Sequence, residues 1–173
     1  MTTRTQLSLY VPSPLSEPLE EIRRRLDPIQ RGLIPAHVTL CREDEIAALA
    51  LGPSEIRARL AEAGAAPITL RFGRPESFHG HGVLLPCIDG AREFQALREH
   101  VLGSRAIRHP EPHLTLAHPR NPRSPHNDLA NAGPLPDDLS ITFTTVSLIQ
   151  QTGPQPWRVL EAYALGPRKR GHP

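Results

Sequence analysis

The tetrapeptide His37-Val38-Thr39-Leu40 returns as His113-Leu114-Thr115-Leu116, and its surroundings return with it. The offset is constant (113 − 37 = 76). Residues 6–11 alternate, with Leu7, Leu9 and Val11 on one side, and predict a strand. The same shift takes those three to Val83, Leu85 and Cys87, within the apolar run 83–88, where Pro86 points to a sheet edge or a bulge. After the first strand, Leu15, Leu19, Ile22 and Leu26 recur at helical spacing. Ser16 is the candidate cap, Pro18 is tolerable in the first turn, and Asp27-Pro28 ends the run. In the second copy Asp89 is the candidate cap, Phe94, Leu97 and Val101 form the stripe, and Gly103 ends the helix. Leu26 maps onto Leu102, and Ile68, Leu70 and Phe72 map onto Thr144, Val146 and Leu148. One ungapped shift therefore aligns strand, helix, His-x-Thr strand and a further strand. It predicts an α+β fold made of two similar lobes, a pseudo-symmetric duplication.

The other elements fit around this frame. Ser54 is placed to cap a helix carrying Ile56, Leu60 and Ala63 and stopped by Gly64. Residues 141–150 and 157–165 read as strands joined through Thr152-Gly153-Pro154. The stretch 119–136 is proline-rich and polar, hence loop, with a short helix near 127–130. A length of 173 residues suits one domain over 1–166, followed by a disordered basic tail, 167–173.

The repeated motif has a chemical reading. Residues two apart on a strand share a face, so His37 projects with Thr39, and His113 with Thr115, while Val38, Leu40, Leu114 and Leu116 enter the core. If the lobes face each other, two imidazoles and two hydroxyls converge on one groove. A charged imidazole can protonate a leaving oxygen, and a neutral one can take a proton from the attacking water or hydroxyl. Histidine suits both tasks because its ordinary pKa is about 6.5. Threonine hydroxyls can hold the non-bridging oxygens of a phosphate diester. The alternative, two ordinary strand histidines, accounts poorly for a motif that repeats together with its flanking strand and helix.

These motifs resemble the two-histidine (2H) phosphoesterase superfamily, which includes bacterial 2′–5′ RNA ligase/cyclic phosphodiesterases. The resemblance extends over residues 6–165. It implies two antiparallel sheets around a central groove with helices outside. It also implies hydrolysis of a 2′,3′-cyclic phosphate to a 2′-phosphomonoester without metal or nucleotide cofactor, with His37 as proton donor and His113 as acceptor. One departure is visible. Where that branch often carries an arginine, five residues after the second histidine, this chain has His118, followed by Pro119-Arg120. Arg42 holds the matching place after the first motif. Arg42, His118 and Arg120 are therefore the candidate phosphate contacts.

Tyr10 shares a strand face with Ser8 and is a candidate for stacking on a base, with Phe72 and Phe78 as alternatives and core packing as the competing role. His79 and His81, with His113, suggest a metal site, but no carboxylate or cysteine completes a ligand set at the usual spacing. Cys41 would share the face of Thr39, yet its counterpart is Ala117, which favours packing over nucleophilic chemistry. The two cysteines, Cys41 and Cys87, sit in no CxxC. No apolar run is long enough for a bilayer and no signal peptide opens the chain, so the expectation is a cytoplasmic monomer without membrane attachment. Lys169 is the only lysine; arginine supplies the remaining positive charge and suits phosphate oxygens. A formal net charge of +2 is too small for a long nucleic-acid track, so the expected partner is an RNA end or a small cyclic ribose phosphate. Two functions follow: a metal-independent cyclic phosphodiesterase, reversible as ATP-independent 2′–5′ ligation, or a noncatalytic RNA- or nucleotide-binding protein using the same groove.

Overall fold

The computed structural model describes residues 1–62, 65–78, 81–120, 122–135 and 138–166. The tail 167–173, together with Ala63, Gly64 and His79, lies outside them. Along the chain run β1 (Thr3–Tyr10), α1 (Ser16–Leu26), α2 (Pro28–Leu33), β2 (His37–Cys41), α3 (Glu43–Ala48) and α4 (Pro53–Glu62). Then come β3 (Ile68–Phe72), β4 (Glu76–Phe78), β5 (His81–Asp89), α5 (Ala91–Leu102) and β6 (His113–Ala117). A single 3₁₀ turn at Leu129–Asn131 precedes β7 (Leu139–Phe143), β8 (Thr145–Thr152) and β9 (Arg158–Ala164).

The strands form two antiparallel sheets. The first has the order β2-β1-β8-β9; in the second, β6 pairs with β5, which pairs on its other side with β4 and β3, and β3 pairs with β7. The duplication holds residue by residue. Leu7 pairs with Cys41, Ser8 with Thr39, Leu9 with Val38 and Tyr10 with His37. Adding 76 to each gives Val83 with Ala117, Leu84 with Thr115, Leu85 with Leu114 and Pro86 with His113. Even the register irregularity recurs, between Leu7 and Ser8 and between Val83 and Leu84. That bulge explains Cys41: the alternation expected to place it beside Thr39 breaks there, and its side chain is fully buried.

The third strands are exchanged. β3 precedes β5 in the chain but pairs with it, whereas β8, the counterpart of β3 under the shift, pairs with β1. The expected single strand over 141–150 is two strands in different sheets. β7 belongs to the second sheet and β8 to the first, and the chain crosses between them at Thr144. Thr144 and Thr145 are both exposed, a break in the alternation that marks the crossing.

Several local expectations are corrected. Ser16 is the first helical residue rather than the cap; Leu15 holds the cap position and makes no side-chain cap bond. Asp27 both ends α1 and caps α2, accepting a hydrogen bond from the Gln30 N–H at 3.1 Å. Asp89 does not cap α5. Gly90 does so in the left-handed region (φ +91), where a Cβ would collide with the Thr69 carbonyl oxygen. Pro86 is not on an edge, because β5 is flanked on both sides. It sits between the Phe72–Cys87 and Glu76–Leu84 pairs, opposite the gap between β3 and β4, where no ladder bond needs its missing N–H.

One hydrophobic core joins both sheets to the helices, from Leu7, Leu9, Val38 and Leu40 to Val83, Leu85, Leu114, Leu116 and Phe94. Full burial of each such side chain contributes roughly 1.5–3 kcal/mol. α1 packs on β6, and its counterpart α5 packs on β2. β2 and β6 are the edge strands of their sheets and lie against each other. Among the described residues no helix is long and apolar enough to cross a membrane.

Candidate functional site

β2 and β6 have the same burial pattern: His and Thr half-buried, the two apolar residues and the last residue buried. The period of two, with Val38, Leu40, Leu114 and Leu116 in the core, holds both His-x-Thr faces toward the space between the sheets. His37, Thr39, His113 and Thr115 line one cleft of about 860 Å³. Arg42, His118 and Arg120 line it as well, so all three candidate phosphate contacts are at the cleft. Tyr10 is not among the lining residues. It meets the edge of the His37 ring at 6.2 Å between centroids, and burial pushes its hydroxyl up to about 12. Phe72 is in the core, whereas Phe78 lines the cleft and lies nearly parallel to the His113 ring, 6.4 Å between centroids.

The two histidines are held alike. The Nδ1 of His37 lies 2.8 Å from the Pro35 carbonyl oxygen, and that of His113 lies 3.0 Å from the Glu111 carbonyl oxygen. A carbonyl oxygen only accepts, so each Nδ1 carries hydrogen and each Nε2 is left to exchange a proton. Burial pushes His37 down to about 4, helped by the positive field of Arg23 and by its two histidine neighbours, His113 and His118.

His118 is the opposite tautomer. Its Nδ1 accepts the Arg120 backbone N–H at 3.1 Å, so the neutral ring carries its hydrogen on Nε2. Its backbone is pinned on both sides: the N–H donates to Asp27 at 2.8 Å, and the carbonyl accepts from the Asn127 side chain. Burial lowers its pKa. His118 is thereby suited to donate a hydrogen bond and unsuited to shuttle protons. Arg42 is anchored by its backbone N–H to Glu45 at 2.8 Å, and its guanidinium stands 4.0 Å from Asp44. Arg98 reaches from α5 to the Leu40 carbonyl, one residue after Thr39, and to Glu45 at 2.7 Å.

Arg4, Gln6, Gln151 and Trp157 also line the cleft, and the sequence reading did not single them out. A signal for two of them existed. Arg4 and Gln6 continue the face of Ser8 and Tyr10, opposite Leu7 and Leu9 on β1. Gln151 and Trp157 reach the cleft through the exchanged strand β8 and its hairpin, which strand periodicity does not reveal. Among the described residues no group of three or more His, Cys, Asp or Glu is placed to hold a metal ion.

A family model described as the 2′-5′ RNA ligase superfamily matches residues 11–155. The fold is similar to that of E. coli LigT complexed with phosphate, at 18% identity and a TM-score of 0.58, covering 95% of this chain and 98% of that one. E. coli LigT complexed with 3′-AMP matches at 18% identity and a TM-score of 0.52, covering 95% and 98%. A structure described as a phosphoesterase matches at 17% identity and a TM-score of 0.52, covering 95% and 99%. No curated protein matches the chain by sequence.

Proposed function

The chain belongs to the 2′-5′ RNA ligase superfamily, and from that premise we propose that it hydrolyses a 2′,3′-cyclic ribose phosphate, on an RNA end or a nucleotide, to a 2′-phosphomonoester. The observation that carries the reading is the pair of imidazoles from two edge strands on one cleft, each with Nδ1 held by a carbonyl and Nε2 left for proton transfer. Water attacks phosphorus and gives its proton to His113 Nε2. The P–O3′ bond breaks, and the 3′ oxygen takes the proton from His37 Nε2. Each role is worth roughly 10²–10⁴-fold in rate. Thr39, Thr115 and the His118 Nε2–H donate to the non-bridging oxygens, with Arg42 and Arg120 supplying positive charge.

Burial holds the His37 pKa down at about 4, so the ring is neutral at pH 7. A donor must be loaded first. A phosphodiester anion beside Nε2 favours the charged ring and raises its pKa, so substrate binding supplies the missing condition. With a 5′ hydroxyl in place of water, the same transfers open the cyclic phosphate into a 2′–5′ phosphodiester without ATP: the 5′ oxygen bonds to phosphorus, its proton goes to His113, the P–O3′ bond breaks and the 3′ oxygen takes the proton from His37. E. coli LigT, which shares this fold, is seen with phosphate and with 3′-AMP, which supports such a ligand class.

The test offers 2′,3′-cyclic mononucleotides and a cyclic-phosphate-ended RNA in the presence of a chelator, and locates the product phosphate. The expected product is the 2′-phosphate, with His37→Ala and His113→Ala each slower by about 10²–10⁴-fold. A 3′-phosphate product, or full activity in both variants, overturns the mechanism. Nucleotide binding without any turnover replaces it with the binding-protein reading.

A further inference from the structure

The turn that leads into each His-x-Thr strand is held at equivalent points by unrelated side chains. The Nδ1 of His37 rests on the Pro35 carbonyl and that of His113 on the Glu111 carbonyl. Just after those residues, the Ala36 and Pro112 carbonyls accept from the Val11 and Cys87 N–H groups, both at 3.0 Å, and the two bonds correspond under the 76-residue shift. Just before them, the Ile34 and Pro110 carbonyls correspond as well. Arg23 on α1 donates to the first at 2.8 Å, and the Gln95 side chain on α5 donates to the second at 2.7 Å. The holders are not related by the repeat, which takes Arg23 to Glu99 and Gln95 back to Leu19.

The first hold has a further part. Glu20 Oε1 accepts from the other terminal nitrogen of Arg23 at 2.9 Å and also from the Ala36 N–H. The Glu20–Arg23 pair therefore grips Pro35 from both sides, by the carbonyl before it and the N–H after it. Pro112 has no N–H, so the second turn has only the carbonyl grip. Arg23 lines the cleft, yet its side chain is 3% exposed and both terminal nitrogens are committed, which leaves it to act through His37 rather than on a ligand.

We propose that Glu20 and Arg23 are positioning residues for His37, holding the Pro35 carbonyl where it fixes the Nδ1 hydrogen and leaves Nε2 to exchange a proton, and that Gln95 serves His113 in the same way. The kinetic consequence rests on the phosphoesterase reading; the positioning itself does not. Which imidazole nitrogen carries the hydrogen is set by the hydrogen bond that the other makes or lacks. A Pro35 peptide free to turn takes its carbonyl off Nδ1, and the hydrogen then moves to Nε2, the nitrogen that faces the phosphate.

Ring-nitrogen NMR of the full chain at pH 8, above the ordinary imidazole pKa of about 6.5, reads the tautomer of each histidine. His37→Asn and His113→Asn give the assignments. The wild type is expected to carry Nδ1–H on both rings. Arg23→Met and Glu20→Ala shift His37 toward Nε2–H and leave His113 unchanged, whereas Gln95→Ala shifts His113 and leaves His37. Glu20→Gln, which keeps Oε1 as acceptor for both donors, leaves both rings as they were. Should Arg23→Met not fold, Glu20→Ala and Gln95→Ala carry the test. In turnover of a 2′,3′-cyclic mononucleotide, Glu20→Ala and Arg23→Met each lower kcat about 10–100-fold with KM within about threefold, and Glu20→Gln restores most of kcat. An unchanged His37 tautomer in folded Glu20→Ala, or an equal change at both rings in any one variant, overturns the positioning. Ring-specific tautomer shifts in a protein without turnover uphold the positioning and overturn the catalytic reading instead.

Discussion

Burial does two things at His37: it aims Nε2 into the cleft and it disfavours the charged ring, pushing the pKa down to about 4. In the unfolded chain the same imidazole titrates near 6.5. Between those values the unfolded state binds the proton and the folded state does not, so stability falls as pH drops below about 6.5 and keeps falling to about 4. The loss from this one group between pH 6.5 and pH 5 is about 1.5 kcal/mol. His37→Asn, which cannot titrate, removes that part of the slope. Denaturant melts of both proteins at the two pH values check it, and equal slopes would show that the wild-type ring is not held neutral. His118 adds a lesson of the same kind. Which nitrogen is occupied decides what the ring can do: the Arg120 N–H on Nδ1 leaves its Nε2 with the hydrogen, the reverse of His37 and His113.

At the scale of elements, Asp27 is the joint between the two halves. Its fully buried carboxylate accepts from Gln30 N–H at the start of α2 and from His118 N–H just past β6. Asp27→Ala removes a helix cap, worth about 1 kcal/mol, and leaves a buried N–H unpaired, which costs about 1–3 kcal/mol more. The expected result is a Tm lower by about 5–12 °C at this chain length. The KM for the cyclic phosphate also rises, because His118 loses its anchor. A melt and a kinetic run decide this; an unchanged Tm would mean that α2 and β6 are tied by something else.

At the scale of the molecule, the exchange of β3 and β8 makes the halves interdependent. The first half ends with a strand that belongs to the second sheet, and the neighbour of β1 comes from the second half. Each half alone therefore leaves a long unpaired edge and part of the shared core open to water. Residues 1–78 and 81–166 made as separate chains are expected to show no cooperative melt, and to recover one only when mixed. A cooperative transition in either piece alone would contradict this interlocking. The cleft has the same dependence, since β2 and β6 are edges of different sheets and neither lines it alone.

How much of this was legible depended on locality. The strands, the long helices and the two His-x-Thr faces are written in periods of two and of three to four residues. These features need only neighbours in the chain, which is why periodicity reveals them. The bulge and the Nδ1–carbonyl contacts also recur under the 76-residue shift, but the bulge is a feature of paired strands, and alternation along one strand placed Cys41 on the wrong face. Which strand joins which sheet, why Pro86 is tolerated inside one, and how Trp157 comes to line the same cleft as the histidines depend on partners far apart in the chain. Hydrophobic periodicity states that a residue is buried but not against what. Only the tertiary packing, by closing two sheets on a shared core, decided that the repeated imidazoles open into a single cleft.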